Sequence, residues 1–183
     1  MKKLLVALLL LSIALPMRSW ADHIGLYSDR TGASCVLATG FNTEVAIIHK
    51  FSLGATGSRF RVELPAGSTL FLFNSPYVGA GQPPSTLLQG VQLTYPCLNT
   101  TVSGNLVLGT LVAILSLGYA RVLPAVDQTS VVYYDCDGVE KQATGGEAAI
   151  GINDDPCRTF DPWPPPNPVQ QSTWGNVKAL YRD

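Results

Sequence analysis

The sequence predicts an all-β protein, an antiparallel β-sandwich of roughly seven to nine short strands set between two non-globular ends. Three observations carry that reading. Apolar runs rich in β-branched residues recur about every ten residues from Asp22 to Cys157, with Gly, Pro, Asn or Asp at most breaks. Arg59–Leu64 alternates, with Phe60, Val62 and Leu64 on one face and Arg59, Arg61 and Glu63 on the other, as in a strand with one wet face. Helical periodicity is hard to find anywhere in this body.

The N-terminal segment comes first. Residues 1–21 read as a secretory signal peptide: Lys2 and Lys3, then a helix-length apolar run from Leu4 to Leu15 broken only by Ser12, then a polar break. Ser19 and Ala21 supply the small-x-small pattern before a cut at Asp22. The alternative is an N-terminal core helix or membrane anchor, but a span needs roughly 20 apolar residues and this run is shorter. The expected product is therefore secreted or held at a cell surface, with a bacterial layout. Cleavage leaves 162 residues and removes Lys2, Lys3 and Arg18, so 9 basic residues face 13 acidic ones, a net charge of −4. A mildly acidic chain with no basic stripe argues against nucleic-acid binding, which needs cations to neutralise phosphates.

The body, 22–157, then divides into strands. His23–Tyr27 is short and apolar, and Thr43–Phe51 holds Val45, Ile47 and Ile48. Arg59–Leu64 follows, then the turn Pro65-Ala66-Gly67, then Thr69–Phe73. Ser75–Ser85, with Pro76, Gly79, Gly81, Pro83 and Pro84, reads as a long uncharged loop. Leu87–Tyr95 is read as a strand. Val102–Leu117 is apolar on both faces, which predicts a central buried stretch, broken into two strands near Gly109. A transmembrane helix is the alternative there, opposed by the short length and by Gly104, Asn105, Gly109 and Thr110. Tyr119–Val126, Val131–Asp135 and Ala148–Ile152 complete the set.

Four cysteines, Cys35, Cys97, Cys136 and Cys157, all lie in the mature part. An even number in an exported chain points to disulfides, and the lack of a CxxC pair argues against zinc-ribbon or redox-motif readings. Of three possible pairings, the favoured one is Cys136–Cys157 across the last hairpin region with Cys35–Cys97 joining two earlier loops. The loop-entropy model gives these ~3 and ~4 kcal/mol.

Catalytic patterns are sparse. The histidines, His23 and His49, read as ordinary surface or edge residues, too few for a metal centre. Asp135 and Asp137 are two apart and would share a strand face; with Asp154 and Asp155 they form a weak oxygen-ligand set for calcium. The competing reading makes Asp137-Gly138 and Asp154-Asp155 turns. A GxSxG elbow is missing, and Glu63, Glu140 and Glu147 show no pairing expected of a glycosidase. The chain is read as non-catalytic, with no cofactor. Carbohydrate binding wants aromatic platforms, yet Trp163 and Trp174 both follow the body. Tyr133 and Tyr134 point to opposite faces, one a possible platform and packing the favoured use. Asn99-Thr100-Thr101 matches a glycosylation sequon, of little meaning in a bacterium.

The C-terminal segment has two parts. Residues 158–171 form a Pro-rich linker; from Pro156 to Pro168 six of thirteen residues are proline, an extended and stiff spacer. Residues 172–183 predict a short amphipathic tail helix, with Trp174, Val177 and Tyr181 on one stripe and Lys178 and Arg182 near its end. About three turns are marginal alone in water. A stiff stalk presenting such a peptide reads as a tag for a sorting or anchoring partner or a membrane surface. The alternative is that it packs back on the body.

The stretches Ile24–Asp29, Cys35, Thr43–Ile48, Gly57–Val62, Val131–Cys136 and Gly145–Ala148 resemble a group of uncharacterised exported bacterial proteins. The ending Thr173-Trp174-Gly175, with Val177, Lys178, Tyr181 and Arg182, is similar to a short C-terminal tail on exported bacterial proteins. That resemblance implies export and no particular activity. The strand order also resembles cohesin-type and immunoglobulin-like modules, a likeness of fold that assigns no function. The expected role is a surface-associated structural or adhesive binding protein whose partner is a protein or glycan. A carbohydrate-binding module is the alternative, and a small secreted hydrolase the third reading.

Overall fold

A computed structural model describes residues 22–50, 54–77, 84–98, 105–152 and 158–160, and nearly all regular structure there is β. The expected signal peptide, the tail and most of the Pro-rich linker lie outside the described residues. The strands are β1 (His23–Tyr27), β2 (Val36–Leu37), β3 (Gly40–Lys50), β4 (Ala55–Glu63), β5 (Thr69–Asn74), β6 (Val91–Leu98), β7 (Asn105–Leu115), β8 (Gly118–Leu123), β9 (Val131–Tyr134), β10 (Glu140–Ile150) and β11 (Arg158–Phe160). One short helix, α1 (Pro84–Gln89), is the only helix among the described residues.

Hydrogen bonds link the strands in the order β5-β7-β3-β1-β10-β8-β4-β6, with β2 and β11 on β10 and β9 bridging β10 to β4. The ladders are antiparallel with two exceptions. β1 and β2 run parallel to β10, so the sheet is mixed rather than purely antiparallel. A parallel pair needs a long crossover, which the chain between β1 and β10 provides.

β1 is buried along its whole length and β3 from Val45 to His49, as the β-branched run predicts for strands covered on both faces. β4 shows the alternation expected of it: Phe60 and Val62 are in the core, while Arg61 and Glu63 lie outward. That wet face carries a row of ion pairs, Arg61–Glu63 at 3.5 Å, Arg121–Glu63 at 3.9 Å and Arg121–Glu147 at 2.8 Å. The core joins Ile24, Leu26, Ile47, Ile48, Phe60, Leu108, Leu111 and Ile150.

Three stretches depart from the expected layout. Leu87–Tyr95 is not one strand; its start belongs to α1, and β6 begins at Val91 after Gly90, whose φ is +149°. Pro84 opens that helix, a position where the missing N–H costs nothing. The expected break near Gly109 is instead a β-bulge within one strand. Ile47 pairs with Gly109 and Ile48 with Val107, leaving Leu108 as the extra residue. As this stretch is a strand from Asn105 onward, the membrane-helix alternative fails there, and no described helix is long and apolar enough to cross a bilayer.

β10 starts at Glu140, eight residues before the strand expected at Ala148. Its polar first half, Glu140-Lys141-Gln142, hides it from an apolar search. Along its length β10 meets β9, β1, β11, β8 and β2. Two glycines allow that crowding. A Cβ on Gly145 would strike the Val122 carbonyl, and one on Gly146 would lie 2.8 Å from both the Gly25 Cα and the His23 ring.

Candidate functional site

The disulfide framework differs from the expected one. Cys97 is bonded to Cys136, with Cα atoms 5.2 Å apart, which excludes both Cys35–Cys97 and Cys136–Cys157. Strand order explains the difference. β6 and β9 both pair with β4, at Thr94–Gly57 and Tyr134–Gly57, so their ends converge there. A Cβ on Gly54, just before β4, would lie 2.7 Å from the Cys136 sulfur, so the bridge passes over a residue with no side chain. Cys35 is also disulfide-bonded, and the remaining cysteine, Cys157, lies outside the described residues.

The β9–β10 turn holds the described half of the weak calcium set. Asp135 Oδ1 accepts hydrogen bonds from the amides of Asp137 (3.0 Å) and Val139 (2.8 Å). Asp135 Oδ2 faces Lys141 Nζ at 3.6 Å, and Gly138 adopts φ +76°. That is a carboxylate closing its own turn. Asp154 and Asp155 lie outside the described residues, and no group of three His, Cys, Asp or Glu that suits a metal occurs among the described ones.

A buried polar cluster, by contrast, escaped the reading of the sequence. His23 and His49 are both buried, not at the surface. Register sets them on opposite faces of the β1–β3 pair, because His23 opposes Lys50 and Ile24 opposes His49. On the His49 face, Asp22 binds His49 Nε2 at 3.1 Å through Oδ1 and accepts from the Tyr133 hydroxyl at 2.7 Å through Oδ2. The His49 and Tyr133 rings meet edge-on at 5.1 Å, and His49 Nδ1 is buried with no hydrogen-bond partner among the described residues. Burial, then the bond to Asp22, holds the Tyr133 hydroxyl well above the usual tyrosine range.

On the other face, His23 Nδ1 shares a hydrogen bond with Thr144 Oγ1 at 3.2 Å, and its ring packs on Gly25 and Gly146. Burial first, then the charge of Lys50 and His49, pushes the His23 imidazole down to about 4. Burial raises Tyr27 to about 12, and Lys50 Nζ sits 4.3 Å from the centre of its ring while donating to the Gly32 carbonyl at 2.6 Å. The signal for this cluster was present in Ile47-Ile48-His49: a histidine that continues a doubly buried run is buried with it. The cluster has the parts of an Asp–His pair, yet the histidine has no exposure, and among the described residues no nucleophile meets its Nδ1.

No protein-family model matches this chain, and no curated protein does. The candidate site therefore stands on geometry. Two exposed apolar side chains, Phe71 and Leu72, lie on β5, and a third, Phe41, on β3. β5 is terminal in the strand order, with β7 as its strand partner. Leu72 opposes Val112, which opposes Glu44, so these three share the outer face. Leu72 is 52% exposed and Phe71, the extra residue of a bulge between Leu70 and Leu72, is 48% exposed. Phe41, in a bulge of β3 beside Asn42 (φ +54°), is 83% exposed. The sequence reading placed Thr69–Phe73 correctly as a strand but could not say that it would be an edge.

Proposed function

We propose that this chain is an exported, non-catalytic binding protein that acts at a cell surface, and that its partner is a protein docking on the β5 edge. The observation that carries the reading is the exposed apolar pair Phe71 and Leu72 on a terminal strand. Edge strands are usually protected by charge or proline, because an open edge is a template for added strands. β5, Thr-Leu-Phe-Leu-Phe-Asn, has neither. An extended segment of a partner would add beside β5 and set its apolar side chains on Phe71, Leu72 and Val112.

Export is supported by the three-part layout of residues 1–21 and by the disulfides, which suit an oxidising compartment. A sandwich of immunoglobulin-like type is supported by the alternation of β4, with Phe60 and Val62 inward and Arg61 and Glu63 outward. The tail residues Trp174, Val177, Lys178, Tyr181 and Arg182 serve on this reading as a sorting or anchoring tag. Fractionation of the host with intact mass spectrometry tests export: a product starting at Asp22, found outside the cytoplasm, supports it, and a product retaining Met1 in the cytoplasm refutes it. Phe71→Arg in the exported product should lower retention on isolated envelope at least tenfold; unchanged retention rejects the β5 site.

A glycan partner is the alternative, favoured by one feature: Phe41 of β3 and Phe71 of β5 are exposed aromatic side chains. A glycan array separates the two, because saturable sugar binding abolished by Phe41→Ala would assign the surface to carbohydrate.

A further inference from the structure

The junction of β1 with β10 is short and rests on few groups. It consists of His23 opposite Thr144 and Ile24 opposite Gly145, with the Thr144 amide donating to the Asp22 carbonyl at 2.8 Å. The Thr144 hydroxyl joins both halves, 3.2 Å from His23 Nδ1 and 3.3 Å from the Asp22 carbonyl oxygen. Gly145 also pairs with Phe160 of β11, and β2 pairs only from Ala149, so β1 and β10 are paired over two residues each.

We propose that this junction is an acid-released clasp, in which uptake of a proton by His23 frees the N-terminal strand β1 from β10 while the β3–β7 ladder stays paired.

The argument is one of compensation. The neutral His23 ring fits: one nitrogen meets Thr144, and the other lies against the two glycines, where a Cβ of Gly25 or Gly146 would be 2.7 or 2.8 Å from Nε2. An added proton puts a cation between backbones. The charged and titratable groups around it come from each neighbouring element. β3 contributes Lys50 and His49, both of which oppose a cation there. β1 itself contributes Tyr27, whose hydroxyl lies against the same Gly25, and the residue before it, Asp22, whose carboxylate is committed to His49 and Tyr133. β10 contributes Glu147, bound to Arg121 of β8 at 2.8 Å. β9 contributes Tyr133, and the loop after β1 contributes Asp29, which acts on Lys50. Among the described residues no carboxylate is left to pair with a charged His23. A buried, uncompensated cation is relieved by exposing it, and the least costly exposure is the parting of this short parallel contact. By contrast β3 and β7 are paired from Thr43 to Lys50, interrupted only by the Leu108 bulge, and have no histidine other than His49.

Amide hydrogen exchange on the full chain, followed by mass spectrometry from pH 7.5 to 4 and corrected for intrinsic exchange rates, tests this. Below about pH 6.5, protection at Ile24–Leu26 and Thr144–Gly146 should fall about tenfold per pH unit, while β3 and β7 keep theirs. In His23→Gln, which retains a hydrogen-bonding side chain and cannot titrate in this range, the fall should be absent. Protection that does not change with pH, or that is lost equally in β3–β7, overturns the proposal. So does an unaltered fall in His23→Gln, which would move the proton acceptor elsewhere. Should that variant not fold, NMR titration of the His23 ring in the unmodified chain decides: a midpoint near the ordinary 6.5 with no coupled opening refutes the clasp.

Discussion

Single side chains here matter most where they are buried and polar. Asp22 satisfies His49 and Tyr133 together, so Asp22→Ala strands two buried groups and should cost about 2–4 kcal/mol in urea unfolding. Asp22→Asn keeps acceptor and shape and should cost clearly less; equal losses would mean that the contacts are incidental. His23 makes stability depend on pH. Its folded value, about 4, lies below the ordinary 6.5, so the unfolded chain binds the proton more readily. The sign follows: the contribution is complete above pH 6.5 and is lost as pH falls toward 4, roughly 3 kcal/mol in total. Thermal melts of unmodified chain and His23→Gln should converge in pH dependence above 7 and diverge below 6. These residues were the least legible in the sequence. Burial of His23 depends on Gly25 and Gly146, which are far apart in the chain, and no local pattern announces their meeting.

Elements were more legible, and for a physical reason. β1, β3, β4, β5, β8 and β9 follow from apolar patterning over a few residues, since a strand covered on one or both faces must show period two or a continuous apolar run. What failed were features decided at longer range. The Leu108 bulge exists because β7 must match β3 over its whole length. The polar half of β10 is a strand because β9 pairs with it, Glu140 with Tyr134 and Gln142 with Val132. The disulfide was misassigned for the same reason: proximity along the chain favoured Cys136–Cys157, whereas β4 draws β6 and β9 to the same place. The observed bridge spans 39 residues, for which loop entropy gives about 4 kcal/mol. A Cys97→Ser, Cys136→Ser double variant should lose up to that amount and show its earliest loss of exchange protection in β6 and the β9–β10 turn. Uniform loss across the sheet would mean that the bridge acts on the unfolded chain alone.

At the scale of the molecule, the described chain is a β structure whose wet and dry faces are separated by charge. The Arg61, Glu63, Arg121 and Glu147 face is ion-paired and solvated, whereas Phe41, Phe71 and Leu72 are apolar and exposed. Exposed apolar area rimmed by polar residues marks a contact surface. In the absence of partner, Phe71→Arg should leave the melting temperature within a few degrees and reduce binding of a hydrophobic dye; a large loss of stability would show that Phe71 belongs to the core instead. The mostly-β character was readable from the period of the apolar pattern. The terminal place of β5 was not, since an edge is a property of strand order and not of any one strand.

β10 has a temporal consequence. It gathers partners from both ends of the chain, β1 and β2 on one hand and β8, β9 and β11 on the other. A ribosome finishes residues 140–150 only after most of the body is made, so β1, paired early with β3, must wait more than a hundred residues for β10 to cover its other edge. Pairings this distant are slow to form. A nascent chain that cannot complete its sheet early stays threadable, the state in which a translocation pore accepts it. Chains arrested before Glu140 should therefore remain protease-sensitive throughout, and those released after Phe160 should acquire resistance in one step.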